Sequence, residues 1–238
     1  MRILIINPQA LFLDLDGTLA DSLWVMRFAY GEFLQSFEVV PCDAEFAALN
    51  GPPLSEIIRR LKVAHQLKEE ERTLFIRYNK VIDQIYGQVK PSTGAQVLLQ
   101  KAKDHQCIVG VVTSNAAERT KRWLENVDLL HFIDFIVSGD DVRYGKPHPE
   151  PYLLATKLAE KSPIKKIVRT THSIIAVEDS VQGATSSIEA GLPTFLLKKN
   201  AGAPHLSVEA LPQGAQLICS LHELATRLWS SPLSPDKF

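Results

Sequence analysis

Short apolar runs recur along the chain and are separated by stretches of helical periodicity. They are "ALFLD" (10 to 14), "CIVGVVT" (107 to 113), "DFIVS" (134 to 138), "IIAVED" (174 to 179), "TFLLK" (194 to 198) and "QLICS" (216 to 220). Runs of this kind suit strands covered on both faces of a parallel sheet. Between them, residues 95 to 105 set Val97, Leu98 and Ala102 on one side of a helix. Residues 116 to 127 do the same with Trp123, Leu124 and Val127, and residues 151 to 160 with Leu154, Leu158 and Ala159. Strands alternating with helices predict an α/β fold, a doubly wound parallel sheet with right-handed crossovers.

One segment breaks the rhythm. Residues 22 to 88 hold no convincing strand and at least three helical patterns, over about Leu23 to Phe37, Leu54 to Ala64 and Glu69 to Tyr86. In the last, Leu74, Tyr78, Val81, Ile82 and Ile85 repeat at helical spacing, Glu69 to Glu71 suit the positive end of the helix dipole, and Gly87 marks its stop. This predicts two domains: an α/β core of residues 1 to 21 and 89 to 238, and a helical domain inserted at 22 to 88. Asp21 and Ser22 stand where they would cap the first inserted helix. The tail "SSPLSPDKF" lacks periodicity and reads as a frayed terminus.

In parallel α/β sheets ligands bind outside the carboxyl ends of the strands, where this chain gathers its polar groups. The first run ends in Asp14, the second in Thr113, Ser114 and Asn115, and the fourth in Glu178 and Asp179, with Lys146 in the loop before it. Three carboxylates, a hydroxyl and a lysine at one point would hold a hard divalent cation and a phosphoryl group. The chain has 238 residues and a formal net charge of -1, which advertises no polyanionic partner such as nucleic acid and leaves small substrates as the expectation. The N-terminal "MRILIINPQ" is too short in its apolar part for a leader or a membrane span, so a cytoplasmic protein is expected. Cys42, Cys107 and Cys219 are widely spaced and lack a CxxC pair, which argues against a zinc site or a disulfide framework.

These segments, in this order, resemble the haloacid dehalogenase-like superfamily of phosphohydrolases over residues 12 to 224. "DLDGTLADS" resembles its first motif, "VVTSN" its second, "GKPHPEPY" its third and "VEDSVQGATSSIEAG" its fourth. The insertion is similar to the small helical cap of the subgroup that holds phosphoglycolate phosphatases and β-phosphoglucomutases. The resemblance implies a Rossmann-like core with that cap, Mg2+ as cofactor and a small phosphorylated metabolite as partner. A monomer is the default state, with a dimer as the alternative.

It also implies roles. Asp14 would be the nucleophile, forming an aspartyl-phosphate, and Asp16, two residues on along an extended chain, the general acid and base. The side chains of Asp14, Glu178 and Asp179 and the carbonyl of Asp16 would hold the metal. Thr113, with Ser114 as an alternative in the same role, and Asn115 would hold phosphoryl oxygens, and Lys146 would stabilise their charge and that of Asp14. Thr18 would hydrogen-bond near the nucleophile, and Gly51 would let the cap backbone approach substrate. Arg59 and Arg60 read as exposed helix residues, and His148 as an exposed turn histidine. Ser180 reads as a helix start, Gly183 as a close-packing site, and Pro147 and Pro149 as structural.

The chain departs from the pattern at "KPSTGAQ", where Gly94 follows Thr93 in place of a Pro-Gly pair. It departs again at residues 159 to 173, a long basic connection containing Lys165, Lys166 and Arg169. The expected reaction is Mg2+-dependent hydrolysis of a phosphomonoester. A sugar phosphomutase on the same core is the alternative, and a catalytically silent binding protein the reading from another class. Asp16 argues against the dehalogenase branch. A phosphonoacetaldehyde hydrolase would need a cap lysine, and Lys62 and Lys68 stand in no matching motif.

Overall fold

The computed structural model of the chain describes residues 7–49, 52–162, 173–198 and 211–229. Its elements are β1 (Ala10–Leu13), α1 (Leu23–Gln35), α2 (Asp43–Ala48), α3 (Leu54–Ala64), α4 (Glu71–Ile85), α5 (Ala95–Asp104), β2 (Ile108–Val112), α6 (Ala117–Asn126), β3 (Phe135–Val137), α7 (Glu150–Glu160), β4 (Ile174–Glu178), α8 (Val181–Glu189), β5 (Thr194–Leu197), β6 (Ala215–Ile218) and α9 (Leu221–Leu228). The strands form one sheet in the order β3-β2-β1-β4-β5-β6. Every pairing is parallel.

Alternation along the strands fills two cores. Leu11 and Leu13 of β1, Val109 and Val111 of β2, and Ile175 and Val177 of β4 enter one, with residues of α5, α6 and α9. Ala10 and Phe12, Ile108 and Val112, and Ala176 enter the other, against Tyr152, Ala155 and Ala159 of α7. Both faces are therefore covered, which is why these runs lack polar alternation. Gly110 on β2 is required by its neighbour, since a Cβ there would lie 2.4 Å from the Phe135 ring.

The helices differ from expectation in register. Val97 is 40% exposed, and α5 turns Leu98, Leu99 and Ala102 inward. On α7 the inward positions are Tyr152, Ala155 and Ala159, while Leu158 faces solvent. In each case two or three aliphatic residues fit more than one stripe, and the sheet decides which is buried. Among the insertion's helices, the six-residue α2 has no counterpart in the sequence pattern, because it is too short to establish a period.

Neither Asp21 nor Ser22 caps α1. Ser22 occupies the N-cap position with φ -100 and ψ -6 and makes no cap hydrogen bond. A capping side chain needs extended backbone there, which this residue lacks. Asp21 is exposed, and its N–H donates instead to the Lys90 carbonyl at 2.9 Å. That bond belongs to a clamp where the chain leaves for the insertion and returns. Ala20 and Pro91 form an antiparallel bridge, and the Ser92 N–H donates to the Leu19 carbonyl at 2.7 Å. Just beyond, Gly94 has φ +86, and a Cβ would lie 2.6 Å from the His222 nitrogen, so this glycine serves the approach of α9.

Among the described residues no helix is long and apolar enough to cross a membrane. Cys42, Cys107 and Cys219 are free thiols. The basic stretch with Lys165, Lys166 and Arg169, the C-terminal tail, and Gly51 lie outside the described residues.

Candidate active site

The order of the sheet makes β1 the switch point, since the chain runs from β1 to β2 on one side and reaches β4 on the other only after β3. Ligands bind at the carboxyl ends beside such a point. Asp14 is the first residue past β1, and its N–H donates to the Val177 carbonyl at 3.0 Å, which holds it level with the end of β4.

Beyond Asp14 the chain turns instead of extending. The N–H groups of Thr18 and Ala20 both donate to the Leu15 carbonyl, at 3.1 and 2.9 Å, and Gly17 has φ +88. Asp16 therefore comes beside Asp14 through this turn and not through the two-residue period of a strand, and glycine is what permits the left-handed step. Thr18 is correspondingly misplaced as a ligand to substrate. It is wholly buried, its hydroxyl has no hydrogen-bond partner, and it is absent from the cavity wall.

Lys146 is buried at the centre of the acidic residues. Its Nζ donates to Asp14 Oδ1 at 2.8 Å, to Glu178 Oε1 at 2.5 Å and to the Val112 carbonyl at 2.9 Å. Burial alone would push this ammonium down, but the Asp14 and Glu178 carboxylates outweigh it and hold it above the usual lysine range. Glu178 also accepts from the Tyr152 hydroxyl at 2.5 Å. Burial raises its carboxyl, the Lys146 charge opposes that, and the charge of Asp14 adds to it. Its position depends on Gly183 in the first turn of α8, where a Cβ would lie 2.0 Å from Glu178 Oε2. Ser180 caps that helix by accepting from the Gly183 N–H at 3.0 Å.

Asp14, Glu178 and Asp179 each offer a carboxylate oxygen within 4.8 Å of the others. Glu178 Oε2 is buried with no hydrogen-bond partner. Three carboxylates converging in this way, with a buried Glu178 oxygen left without a partner beside them, fit a hard divalent cation such as Mg2+.

The carboxyl of Asp16 lies outside this trio. Its Oδ1 accepts from the Tyr86 hydroxyl at 2.7 Å and its Oδ2 from Asn115 Nδ2 at 3.0 Å. Burial raises its pKa above the ordinary aspartate value, the Tyr86 bond lowers it, and the charge of Asp14 raises it again. Asn115, expected at the phosphoryl group, is thus engaged with Asp16. Its N–H also donates to Thr113 Oγ1 at 3.0 Å, which fixes the threonine hydroxyl at the end of β2. Arg119 holds Asn115 from behind: NH1 donates to Asn115 Oδ1 at 2.7 Å, Nε to Asp83 Oδ1 at 2.8 Å and NH2 to Asn79 Oδ1 at 2.7 Å. One guanidinium so joins α6 of the core to α4 of the insertion.

Asp14, Asp16, Thr113, Ser114, Asn115, Lys146 and Asp179 line one cavity of about 550 Å³ between the sheet edge and the insertion. Arg59 and Arg60 do not line it: both are exposed and pair with Glu56. Lys62 donates to the carbonyls of Leu67 and Glu69, and Lys68 is exposed, so neither reaches the cavity. His148 is exposed, as expected for a turn residue.

Sequence reasoning missed Tyr86, Arg119 and Tyr152. Arg119 had a signal, because it follows Asn115 by one helical turn. Tyr152 closes the segment "GKPHPEPY" without a role having been read for it. Tyr86 sits in the 3-10 turn after α4 and had no local signal.

A parallel sheet that presents an aspartate from its central strand to a buried lysine, with a second carboxyl held separately, defines an α/β architecture whose polar groups converge outside the carboxyl ends of its strands. The chain belongs to the haloacid dehalogenase-like hydrolase family, whose pattern it matches over residues 11–197. It is 27% identical over 190 residues to the 6-phosphogluconate phosphatase of Escherichia coli (strain K12), covering 79% of this chain and 81% of that one. It is 25% identical over 185 residues to a phosphorylated carbohydrates phosphatase of Thermotoga maritima, covering 77% of this chain and 82% of that one. Among solved structures it shares the fold of CbbY from Rhodobacter sphaeroides in complex with phosphate, with a TM-score of 0.75, 22% identity, and coverage of 91% of this chain and 96% of that one.

Proposed function

We propose that this chain is a Mg2+-dependent phosphatase of small phosphomonoesters that works through an aspartyl-phosphate on Asp14. The observation that carries the reading is the separation of two neighbouring carboxyls. Asp14 is set against the Lys146 ammonium, while Asp16 is held apart by Tyr86 and Asn115 with its pKa raised by burial. Two carboxyls in such different surroundings suit one nucleophile and one proton carrier. The phosphatase names of the two relatives support the same reaction class.

In the first step a carboxylate oxygen of Asp14 attacks phosphorus and the bond from phosphorus to the leaving oxygen breaks. Asp16 gives that oxygen its proton. In the second, Asp16 takes a proton from water as the water oxygen attacks phosphorus. The Asp14–phosphorus bond then breaks, which releases phosphate and restores the carboxylate. Lys146 and the Thr113 hydroxyl hold the phosphoryl oxygens, and Thr113 is favoured over Ser114 because the Asn115 N–H fixes its oxygen. Asp14, Glu178, Asp179 and the Asp16 carbonyl would hold Mg2+, which when bound offsets the negative charge shared by the phosphate and the carboxylates.

The test is release of inorganic phosphate from a phosphomonoester panel with Mg2+ and after chelation, for the wild type and Asp14→Asn. We expect metal-dependent turnover that Asp14→Asn abolishes without changing the fold by circular dichroism. A folded, Mg2+-supplied wild type that hydrolyses no member of the panel overturns the reading. Isomerised sugar phosphate without matching phosphate release would establish the mutase instead.

A further inference from the structure

Among the described residues, the cavity wall supplied by the insertion carries no cation. It is built chiefly from Met26, Phe46, Leu49, Pro53, Ile57 and Phe75, with Ser55 and Asn79 as neutral polar groups and Asp83 as its charged member. The cations that line the cavity among the described residues are Lys146, Arg119 and Arg122, all from the core. Lys146 is bound to Asp14 and Glu178, and the guanidinium of Arg119 is spread over three acceptors. Arg122 pairs with Glu118 at 3.0 Å and its side chain is 58% exposed. Away from the acidic trio and Asp16, the lining carboxylates are Asp83, Glu118 and Asp140, which outnumber Arg119 and Arg122. A second negative charge on a substrate would be desolvated there with no unpaired cation among the described residues lining the cavity to receive it.

Resting on the phosphatase reading, we propose that the leaving group this cavity accepts is uncharged and lays apolar surface against the insertion, and that carboxylated leaving groups are rejected. The discrimination is a property of the wall and acts on binding as well as on turnover. A guanidinium added to that wall removes it.

The test compares phenyl phosphate with 4-carboxyphenyl phosphate, which differ by one charge at the far end. For the wild type with Mg2+, kcat/KM is expected to be at least about tenfold higher for phenyl phosphate, and Ile57→Arg to shrink that ratio by about the same factor. Equal or reversed wild-type values overturn the proposal whatever the variant does. Calorimetric titration of Asp14→Asn with both esters reads the selection without chemistry. Tenfold tighter binding of phenyl phosphate supports it, whereas parity, or no binding of either, overturns it. Phenyl phosphate is also expected to bind more tightly than ethyl phosphate, and parity there removes the apolar contact from the proposal. Should no member of the phosphomonoester panel turn over while phenyl phosphate still binds selectively, the phosphatase reading fails and the selectivity stands.

Discussion

The Tyr86 hydroxyl donates a 2.7 Å hydrogen bond to the carboxyl of Asp16 across 70 residues of sequence. The tyrosine follows the last helix of the insertion and the aspartate belongs to the first turn of the core, so the proposed proton carrier is oriented by both parts of the chain. Tyr86→Phe leaves Asp16 with Asn115 as its remaining side-chain hydrogen-bond donor of the two. A hydrogen bond to a charged group contributes about 1.5–3 kcal/mol, so kcat is expected to fall roughly 10- to 100-fold. KM should stay within about twofold, and steady-state kinetics on one phosphomonoester separates the two effects.

Arg119 is expected to behave differently. Its guanidinium links Asn115 to Asn79 and Asp83, so Arg119→Ala loosens the insertion and disturbs Asp16 together. Elements that close over a site alter kcat and KM jointly when their anchors are lost. Arg119→Lys should not rescue, because one ammonium cannot serve three acceptors in a fixed fork. Kinetics of both variants, with limited proteolysis of the insertion, checks this.

Gly183→Ala places a methyl group 2.0 Å from Glu178 Oε2, in a site where the carboxyl is already tied to Lys146 and Tyr152. Overpacking of this kind costs about 1–3 kcal/mol, measurable by urea denaturation. Displacement of Glu178 shifts Lys146 and with it Asp14, and misplacement by about 1 Å is expected to lower turnover on the order of 100-fold.

The insertion carries an alkaline liability. Burial raises the phenol of Tyr78 above its ordinary value of 10.0, and burial with the Glu45 hydrogen bond pushes Tyr30 up to about 12. A folded-state pKa above the unfolded one means that the folded chain keeps a proton which the unfolded chain releases. The stability involved is complete below pH 10 and is lost as pH rises toward the folded values. For Tyr78 the slope is about 1.4 kcal/mol per pH unit. Denaturation midpoints should change little between pH 9 and 10 and fall steeply between pH 10 and 11 for the wild type, and less so for Tyr78→Phe.

How much of this was readable in advance divides along one physical line. The strands were legible because a strand buried on both faces writes itself as a continuous apolar run, Asp14, Thr113, Glu178 and Asp179 because each sits at the end of such a run, and Lys146 through the loop segment "GKPHPEPY" that holds it. The burial of Thr18, the capture of Asn115 by Asp16 and the part played by Tyr86 were not. Each depends on a turn or on a contact between distant segments, which no local pattern records. The stripe on α5 was misjudged for a related reason: Val97, Leu98 and Leu99 are all apolar, and only the sheet they meet decides between them.

The bridge between Ala20 and Pro91 gives the insertion the character of a cassette. Its two ends are hydrogen-bonded to each other before the helices begin, through Asp21 with Lys90 and Ser92 with Leu19, so no strand of the sheet needs to shift for its contents to change. A graft cut at those two residues would carry across the apolar wall, Tyr86, Asn79 and Asp83 as one piece and leave the acidic trio and Lys146 behind. Selectivity would thus travel with a single splice, while bond-breaking would stay with the host only if the donor again supplies a tyrosine hydroxyl to Asp16.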